Sequence, residues 1–180
     1  MKARCVIGVG NSIAADDGVG PAVIAELRRR TLPEGVEILD AGPDPLDVIE
    51  HLEQEGGVII VDAVRMGRAP GTVLTFPAKS AKVNIVADAF SLHGIGLAYV
   101  LGLADGMGMP AEVTIVGIEP ESVEPGHAMS AAAARAVPRA ADAIMNLLDT
   151  KCGAVCAARG GSTLPPAHEG EPDGEKSADH

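Results

Sequence analysis

The feature that most constrains this chain is a glycine-rich stretch at residues 8–20, which reads Gly-Val-Gly-Asn-Ser-Ile-Ala-Ala-Asp-Asp-Gly-Val-Gly. An apolar run precedes it, and a segment with apolar residues at helical spacing follows it. This order predicts a strand over residues 3–9, a glycine turn, and a helix over residues 18–30. Asp16 and Asp17 stand where the turn enters the helix. A carboxylate there can cap the helix, but capping needs only one of the two.

The rest of the chain alternates between strand and helix patterns. An almost continuous apolar run at residues 58–63 is typical of a parallel strand buried on both faces. We therefore predict an α/β fold of three layers: a twisted, mostly parallel sheet of about five strands, helices on both faces, and one antiparallel edge strand. The other predicted strands cover residues 36–40, 72–76 and 112–118, and the other predicted helices cover residues 43–53, 91–103 and 130–148.

Domain boundaries follow from changes in composition. A single α/β domain is predicted over residues 1–150, and residues 151–180 are predicted to be a disordered tail, because Gly, Pro, Ala and charged residues dominate them. Residues 78–90 have a mixed pattern and are predicted to form a loop. Pro138 is expected to kink or break the last helix.

Composition excludes several classes of protein. The net charge of -11 argues against a nucleic-acid partner, because phosphate binding needs clustered Lys and Arg. The N-terminus has no signal-peptide pattern, and no apolar stretch reaches the roughly 18 residues of a membrane span. We therefore expect a cytoplasmic protein without a membrane partner. The three cysteines do not suggest a disulfide framework, and Cys5 is expected to be a small buried apolar residue.

Three residues that are far apart in sequence are predicted to meet at the end of the sheet where the carboxyl ends of its parallel strands lie. Asp17 follows the first strand, Asp62 ends the third, and His93 begins the helix after the edge strand. Ligands bind open parallel sheets beyond the carboxyl ends of the strands, and two carboxylates with a neutral imidazole can hold a divalent ion. Each residue also has a simpler explanation, as a helix cap, a turn former and an ordinary helix-start residue respectively. Asp40 is either another carboxylate at this end of the sheet or a turn residue.

A dinucleotide site is the nearest alternative. Gly8 and Gly10 follow a strand and open a helix, and Asp40 stands where a ribose-binding acid would be expected. However, Ile13 occupies the position of the third glycine of that fingerprint. The two adjacent carboxylates would also place negative charge beside the pyrophosphate. Both observations count against nucleotide binding.

The motifs together resemble the [NiFe]-hydrogenase maturation endopeptidases over residues 4–148. The resemblance rests on Gly8-Val-Gly-Asn11, Asp16-Asp17-Gly18-x-Gly20, Ile38-Leu39-Asp40-Ala-Gly42, Val61-Asp62-Ala63, Ser91-x-His93 and Gly117-Ile-x-Pro120-x-Ser122. Several motifs in the right order are more specific than one glycine turn. The chain departs from the family pattern at Ala41, where glycine is usual, and in its long tail.

The resemblance implies a cytoplasmic protease that removes a C-terminal extension from the precursor of the hydrogenase large subunit after nickel insertion. It also implies that Asp17, Asp62 and His93 are the catalytic and metal-contacting residues, with the nickel carried by the substrate. Asp16, Asp40 and Asn11 would have supporting or substrate-recognising roles. We further expect a monomer. A nickel-binding assembly chaperone that does not cleave the precursor is the alternative function, followed by a dinucleotide-binding module.

Overall fold

The computed structural model describes residues 3–52, 57–79, 101–102, 105–108 and 112–149. Within these residues the strands form one sheet, in the order β2-β1-β3-β5-β4. β1 pairs in parallel with β2 and β3, β3 pairs in parallel with β5, and β4 runs antiparallel to β5. This confirms the predicted mostly parallel sheet with an antiparallel edge strand. The strands are β1 (Ala3–Val9), β2 (Glu37–Gly42), β3 (Gly57–Ala63), β4 (Val73–Pro77) and β5 (Glu112–Ile118).

Apolar side chains of the central strands alternate between two cores, one on each face of the sheet. On one face, Val6, Ile59 and Val61 pack with the buried residues of α1 (Val19–Leu27) and α3 (Ala131–Asp149). On the other face, Ile7 and Ile60 pack with a 3-10 helix (Pro45–Val48) and the short α2 (Ile49–Leu52). The alternation follows from the two-residue period of a strand. It confirms the three-layer α/β fold.

The first two helices are shorter than the sequence pattern predicts. A 3-10 helix (Ala15–Gly18) precedes α1, which ends at Leu27 because the N–H groups of Arg29 and Arg30 bond to carbonyls three residues back and tighten the chain. The second helical segment starts two residues later than predicted. The cause is Asp44, whose side chain accepts the N–H of Leu46 at 2.9 Å and so caps the segment at that point.

The last helix runs through Pro138 without the break that its sequence predicts. Pro138 is exposed, as is Ala134, whose carbonyl loses its helical partner because proline has no N–H. Water can therefore satisfy that carbonyl. Ser130 caps the helix as predicted, because its hydroxyl oxygen accepts the N–H of Ala133 at 3.1 Å.

Other predictions fall on residues outside the described ranges. These are most of the predicted loop at 78–90, the start of the following helix with His93, and the tail from residue 151. The domain boundary near residue 150 therefore stays a prediction. Within the ranges described, no helix combines the length and the apolar character that a membrane crossing would need.

Candidate functional site

Two glycines of the first turn, Gly8 and Gly20, allow α1 to pack closely against the central strands. A side chain at Gly20 would overlap the carbonyl oxygen of Val9 in β1 and lie 2.9 Å from that of Val61 in β3. A side chain at Gly8 would lie 2.5 Å from Cγ1 of Ile24 in α1. The start of α1 therefore touches both central strands directly. This close approach sets the turn at the carboxyl ends of β1 and β3.

Asp17 lies in this turn and is 5% exposed. Its Oδ2 accepts the backbone N–H of Asn11 at 2.8 Å. Neither the 3-10 helix nor α1 has a side-chain cap, so the helix-cap explanation for Asp17 is wrong. The Asn11 side chain supports the same turn, because its Oδ1 accepts the N–H of Ile13 at 3.1 Å. These hydrogen bonds fix the position of the Asp17 carboxylate relative to the main chain of the turn.

Asp62 lies near the end of β3 and is 7% exposed. Its Oδ1 accepts the N–H of Ala63 at 2.7 Å. Burial raises the pKa of Asp62 to about 8, and the negative charge of Asp17 raises it further, while the Ala63 N–H opposes the rise. The structure therefore brings Asp17 and Asp62 close enough to repel each other. A divalent cation beside them would reverse this repulsion.

The other predicted residues of the site have different positions. Asp40 is exposed on β2, where its Oδ1 accepts the N–H of Gly42 at 3.0 Å, as a turn residue does. His93 lies outside the described residues, so its predicted meeting with the two carboxylates stays a prediction. In the ranges that are described, no group of three or more His, Cys, Asp or Glu side chains is arranged to hold a metal ion.

Asp16 is completely buried and faces away from the helix start. Its Oδ2 accepts the N–H of Glu121 at 2.8 Å and the hydroxyl of Ser130 at 2.9 Å, and its Oδ1 accepts the N–H of Ser130 at 2.6 Å. Asp16 therefore does not cap the helix, and its supporting or substrate-recognising role stays a prediction. Asp16 instead joins the glycine turn to the segment between β5 and α3.

Glu119 is a buried carboxylate that the sequence reasoning missed. It is 5% exposed, directly after β5, and its Oε2 accepts the N–H groups of Met66 at 2.7 Å and Arg68 at 3.0 Å. It lies directly before Pro120, in a segment whose two prolines predict irregular structure. The signal that could have found it is its position directly after an apolar strand, which resembles that of Asp62.

The geometry of the turn also bears on nucleotide binding. A dinucleotide phosphate would take the free backbone N–H groups at the start of the helix. Here the Asn11 N–H is already bonded to a carboxylate of the protein itself. Ile13 stands 69% exposed at the position where the fingerprint needs glycine. The structure therefore gives further support against a dinucleotide site.

Cys5 is buried in β1 with its Sγ 4.0 Å from Nδ1 of His51. Burial raises the pKa of the Cys5 thiol to about 11, with a smaller contribution from the negative charge of Glu37. Cys5 is thus the inert apolar residue that the sequence predicts.

Known proteins resemble this chain in sequence and in fold. A family model described as hydrogenase maturation protease matches residues 21–147. The hydrogenase expression/formation protein HupD of Rhizobium leguminosarum bv. viciae is 32% identical over 174 residues, which cover 95% of this chain and 86% of that protein. The corresponding protein HoxM of Azotobacter vinelandii is 34% identical over 121 residues, which cover 66% of this chain and only 58% of HoxM. The solved hydrogenase maturating endopeptidase HybD from E. coli has a TM-score of 0.70 and 30% identity, covering 82% of this chain and 92% of HybD.

The five-stranded sheet, the acidic site at the carboxyl ends of β1 and β3, and the likeness to a solved endopeptidase define an α/β peptidase. The chain belongs to the hydrogenase maturation protease family. The family predicted from the motifs is therefore confirmed. The roles of individual residues stay predictions.

Proposed function

We propose that this protein is an endopeptidase that removes the C-terminal extension of a [NiFe]-hydrogenase large-subunit precursor once nickel has been inserted. In this proposal the nickel is part of the substrate, and Asp17, Asp62 and His93 recognise it. The observation that carries the proposal is that Asp17 and Asp62 are both buried at the carboxyl ends of β1 and β3, where their negative charges repel each other. The names of HupD, HoxM and HybD support a hydrogenase as the target.

The electrostatics of the carboxylate pair support recognition of a cation. Two carboxylates that are 5% and 7% exposed lose most of their hydration and would repel each other if both were ionised, so Asp62, with its pKa raised to about 8, is mostly protonated at neutral pH. A divalent ion in the precursor offsets both costs, whereas a precursor without nickel offers no such compensation. Docking would then depend on whether nickel insertion is complete. This is the property that a processing enzyme needs if it is to act last.

Two routes for the hydrolysis itself are compatible with these residues. The nickel of the substrate can polarise the scissile carbonyl or activate a water molecule. Alternatively, one of the two carboxylates can act as general base towards a water molecule. Both routes require the scissile peptide to lie beside Asp17 and Asp62. The action in the cytoplasm and the monomeric state stay predictions from the sequence.

The test compares nickel-loaded and nickel-free precursor as substrates and follows loss of the extension by mass spectrometry. Wild-type protein should cleave only the loaded precursor. Asp17→Asn, Asp62→Asn and His93→Ala should each lower kcat/KM by about 100-fold or more, as removal of a group at a reacting centre does. Asp142→Asn, a matched change on the exposed face of α3, should cleave normally.

Equal cleavage of both precursors, or full activity in all three site variants, would sink the proposal. Stable binding of the loaded precursor by the wild-type protein without any product would favour the chaperone alternative instead.

A further inference from the structure

Four charged side chains are buried in the described part of the chain, namely Asp16, Asp17, Asp62 and Glu119. Two of them form the proposed site. Of the other two, Glu119 begins residues 119–130, the segment between β5 and α3, which we call the cross loop, and Asp16 of the glycine turn is bonded to that segment. Burying a charge is costly unless hydrogen bonds satisfy it. The contacts of Asp16 and Glu119 therefore show what these two carboxylates stabilise.

Asp16 holds the cross loop to the glycine turn. Its two oxygens accept three hydrogen bonds from Glu121 and Ser130, at 2.6–2.9 Å. The main chains add further bonds: Ser122 and His127 in the loop accept the N–H groups of Asp16 and Ala15, at 3.0 and 3.1 Å. The turn that ends in Asp17 is thus bonded to the cross loop at several points.

Glu119 holds the other end of the cross loop to the segment after β3. Its carboxylate accepts the N–H groups of Met66 and Arg68, while its own N–H donates to Thr72 at 2.9 Å and its carbonyl accepts from Gly71 at 2.8 Å. That segment begins two residues after Asp62. The loop is therefore tied on one side to the turn of Asp17 and on the other to the segment that follows Asp62.

We infer that Asp16 and Glu119 are positioning residues, which anchor the cross loop so that it fixes the separation of Asp17 and Asp62. The inference rests on the proposed function, because it assumes that these two carboxylates face the substrate. Asp17 and Asp62 are 5% and 7% exposed, and each acidic group would regain hydration if it moved towards water. A loop bonded to both of their backbone segments resists this movement and keeps the pair ready for the precursor.

The two anchors differ in a way that can be tested. The oxygens of Asp16 accept three donors, and asparagine at this position would place an NH₂ group against one of them. Both N–H groups held by Glu119 bond to one oxygen, Oε2, so the carbonyl of glutamine can accept both. Asparagine should therefore fail at Asp16, while glutamine should succeed at Glu119.

The experiment measures kcat and KM for nickel-loaded precursor with Asp16→Asn, Glu119→Ala and Glu119→Gln, at a temperature where urea unfolding shows each variant to be folded. Asp16→Asn and Glu119→Ala should lower kcat/KM about 10–100-fold, as loss of a group that orients a ligand does. Glu119→Gln should recover activity to within about threefold of wild type, which a role based on charge alone would not allow.

Two core variants of α3 separate positioning from general loss of stability. Ile144→Val and Leu148→Ala remove buried methyl groups without touching the cross loop, so they should lower stability and leave kcat/KM within about twofold. If Asp16→Asn fails to fold, Ser130→Ala replaces it; this variant loses one bond to Asp16 and also the cap of α3, so its activity is compared with that of Leu148→Ala, which destabilises the same helix without touching Asp16.

The outcomes distinguish a failure of the inference from a failure of the proposed function. If Asp17→Asn is inactive while folded Asp16→Asn and Glu119→Ala cleave like wild type, the inference is overturned and the proposed function stands. Activity losses in the core variants as large as those in the anchor variants also overturn it, as does a Glu119→Gln variant as poor as Glu119→Ala. Full activity of Asp17→Asn and Asp62→Asn overturns the proposed function and the inference with it.

Discussion

At the scale of single residues, the sequence predicted that Asp17 and Asp62 lie near each other but not that both are buried. Asp17 and Asp62 were found because each lies where an apolar strand ends, and parallel strands end at one edge. Their burial could not be predicted, because it depends on how the turn, α1 and β3 pack. Glu119 was missed for the same reason. Whether a carboxylate beside Pro120 is exposed or satisfied by distant N–H groups is decided by tertiary contacts, not by local pattern.

The raised pKa of Asp62 predicts a pH-dependent stability. In the folded protein the pKa of Asp62 is about 8, against an ordinary value of 3.8, so ionisation of Asp62 costs folding free energy as the pH rises from about 4 to about 8. Asp62→Asn keeps an acceptor for Ala63 and cannot ionise. It should therefore stabilise the metal-free protein by an amount that grows across this range, to about 2–5 kcal/mol at pH 8.

Urea unfolding at pH 4.5, 6 and 8, with EDTA present, measures this difference. Asp47→Asn is the control, because Asp47 is exposed and the same change there should have an effect that varies little with pH. A stability difference between Asp62→Asn and wild type that is constant from pH 4.5 to 8 would contradict the prediction.

At the scale of elements, strands were predicted better than helices. The apolar runs and their order along the chain indicated all five strands, because burial on both faces leaves a clear pattern in sequence. Helix ends were less predictable: α1 ends at Leu27 rather than at Arg30, because the N–H groups of Arg29 and Arg30 bond to carbonyls three residues back. Pro138 was expected to kink or break α3; the helix is not broken, and its buried alanines pack against α1 on both sides of the proline.

The contact between α1 and the two central strands predicts a severe effect of a small substitution. Gly20→Ala should destabilise the protein by about 3 kcal/mol or more, because its methyl group would meet backbone atoms of Val9 and Val61 that cannot move aside. Gly106→Ala is the matched control, since nothing lies within 4 Å of a side chain there. Chemical denaturation of both variants measures the effect, and similar stability for the two would show that the contact is looser than described.

At the scale of the whole molecule, the centre of the described sheet is buried and its β4 edge is partly exposed. β3 pairs on both sides, and six of its seven residues are buried, whereas β4 pairs only with β5 among the described strands and is partly exposed. Local opening is easier where few buried contacts hold the chain. The sequence predicted this order, because residues 58–61 are all apolar and β4 is short.

Hydrogen exchange should reflect this difference. Amides of β3 are expected to exchange at least about 100-fold more slowly than those of β4, measured by mass spectrometry on peptides from each strand. Protection of β4 equal to that of β3 would contradict this. If that protection disappeared on dilution, a second copy of the chain would be covering the edge, and the predicted monomer would be wrong.

The protonated thiol of Cys5 bears on the proposed recognition of nickel that is bound to the precursor. A thiolate beside an imidazole is a strong nickel ligand, and such a pair on the enzyme would compete with the precursor for the nickel ion that the precursor holds. With a pKa of about 11, Cys5 stays a thiol at neutral pH although His51 is its neighbour. Under the proposed function, the Cys5–His51 pair would therefore not compete for the nickel of the precursor, which Asp17, Asp62 and His93 would contact instead.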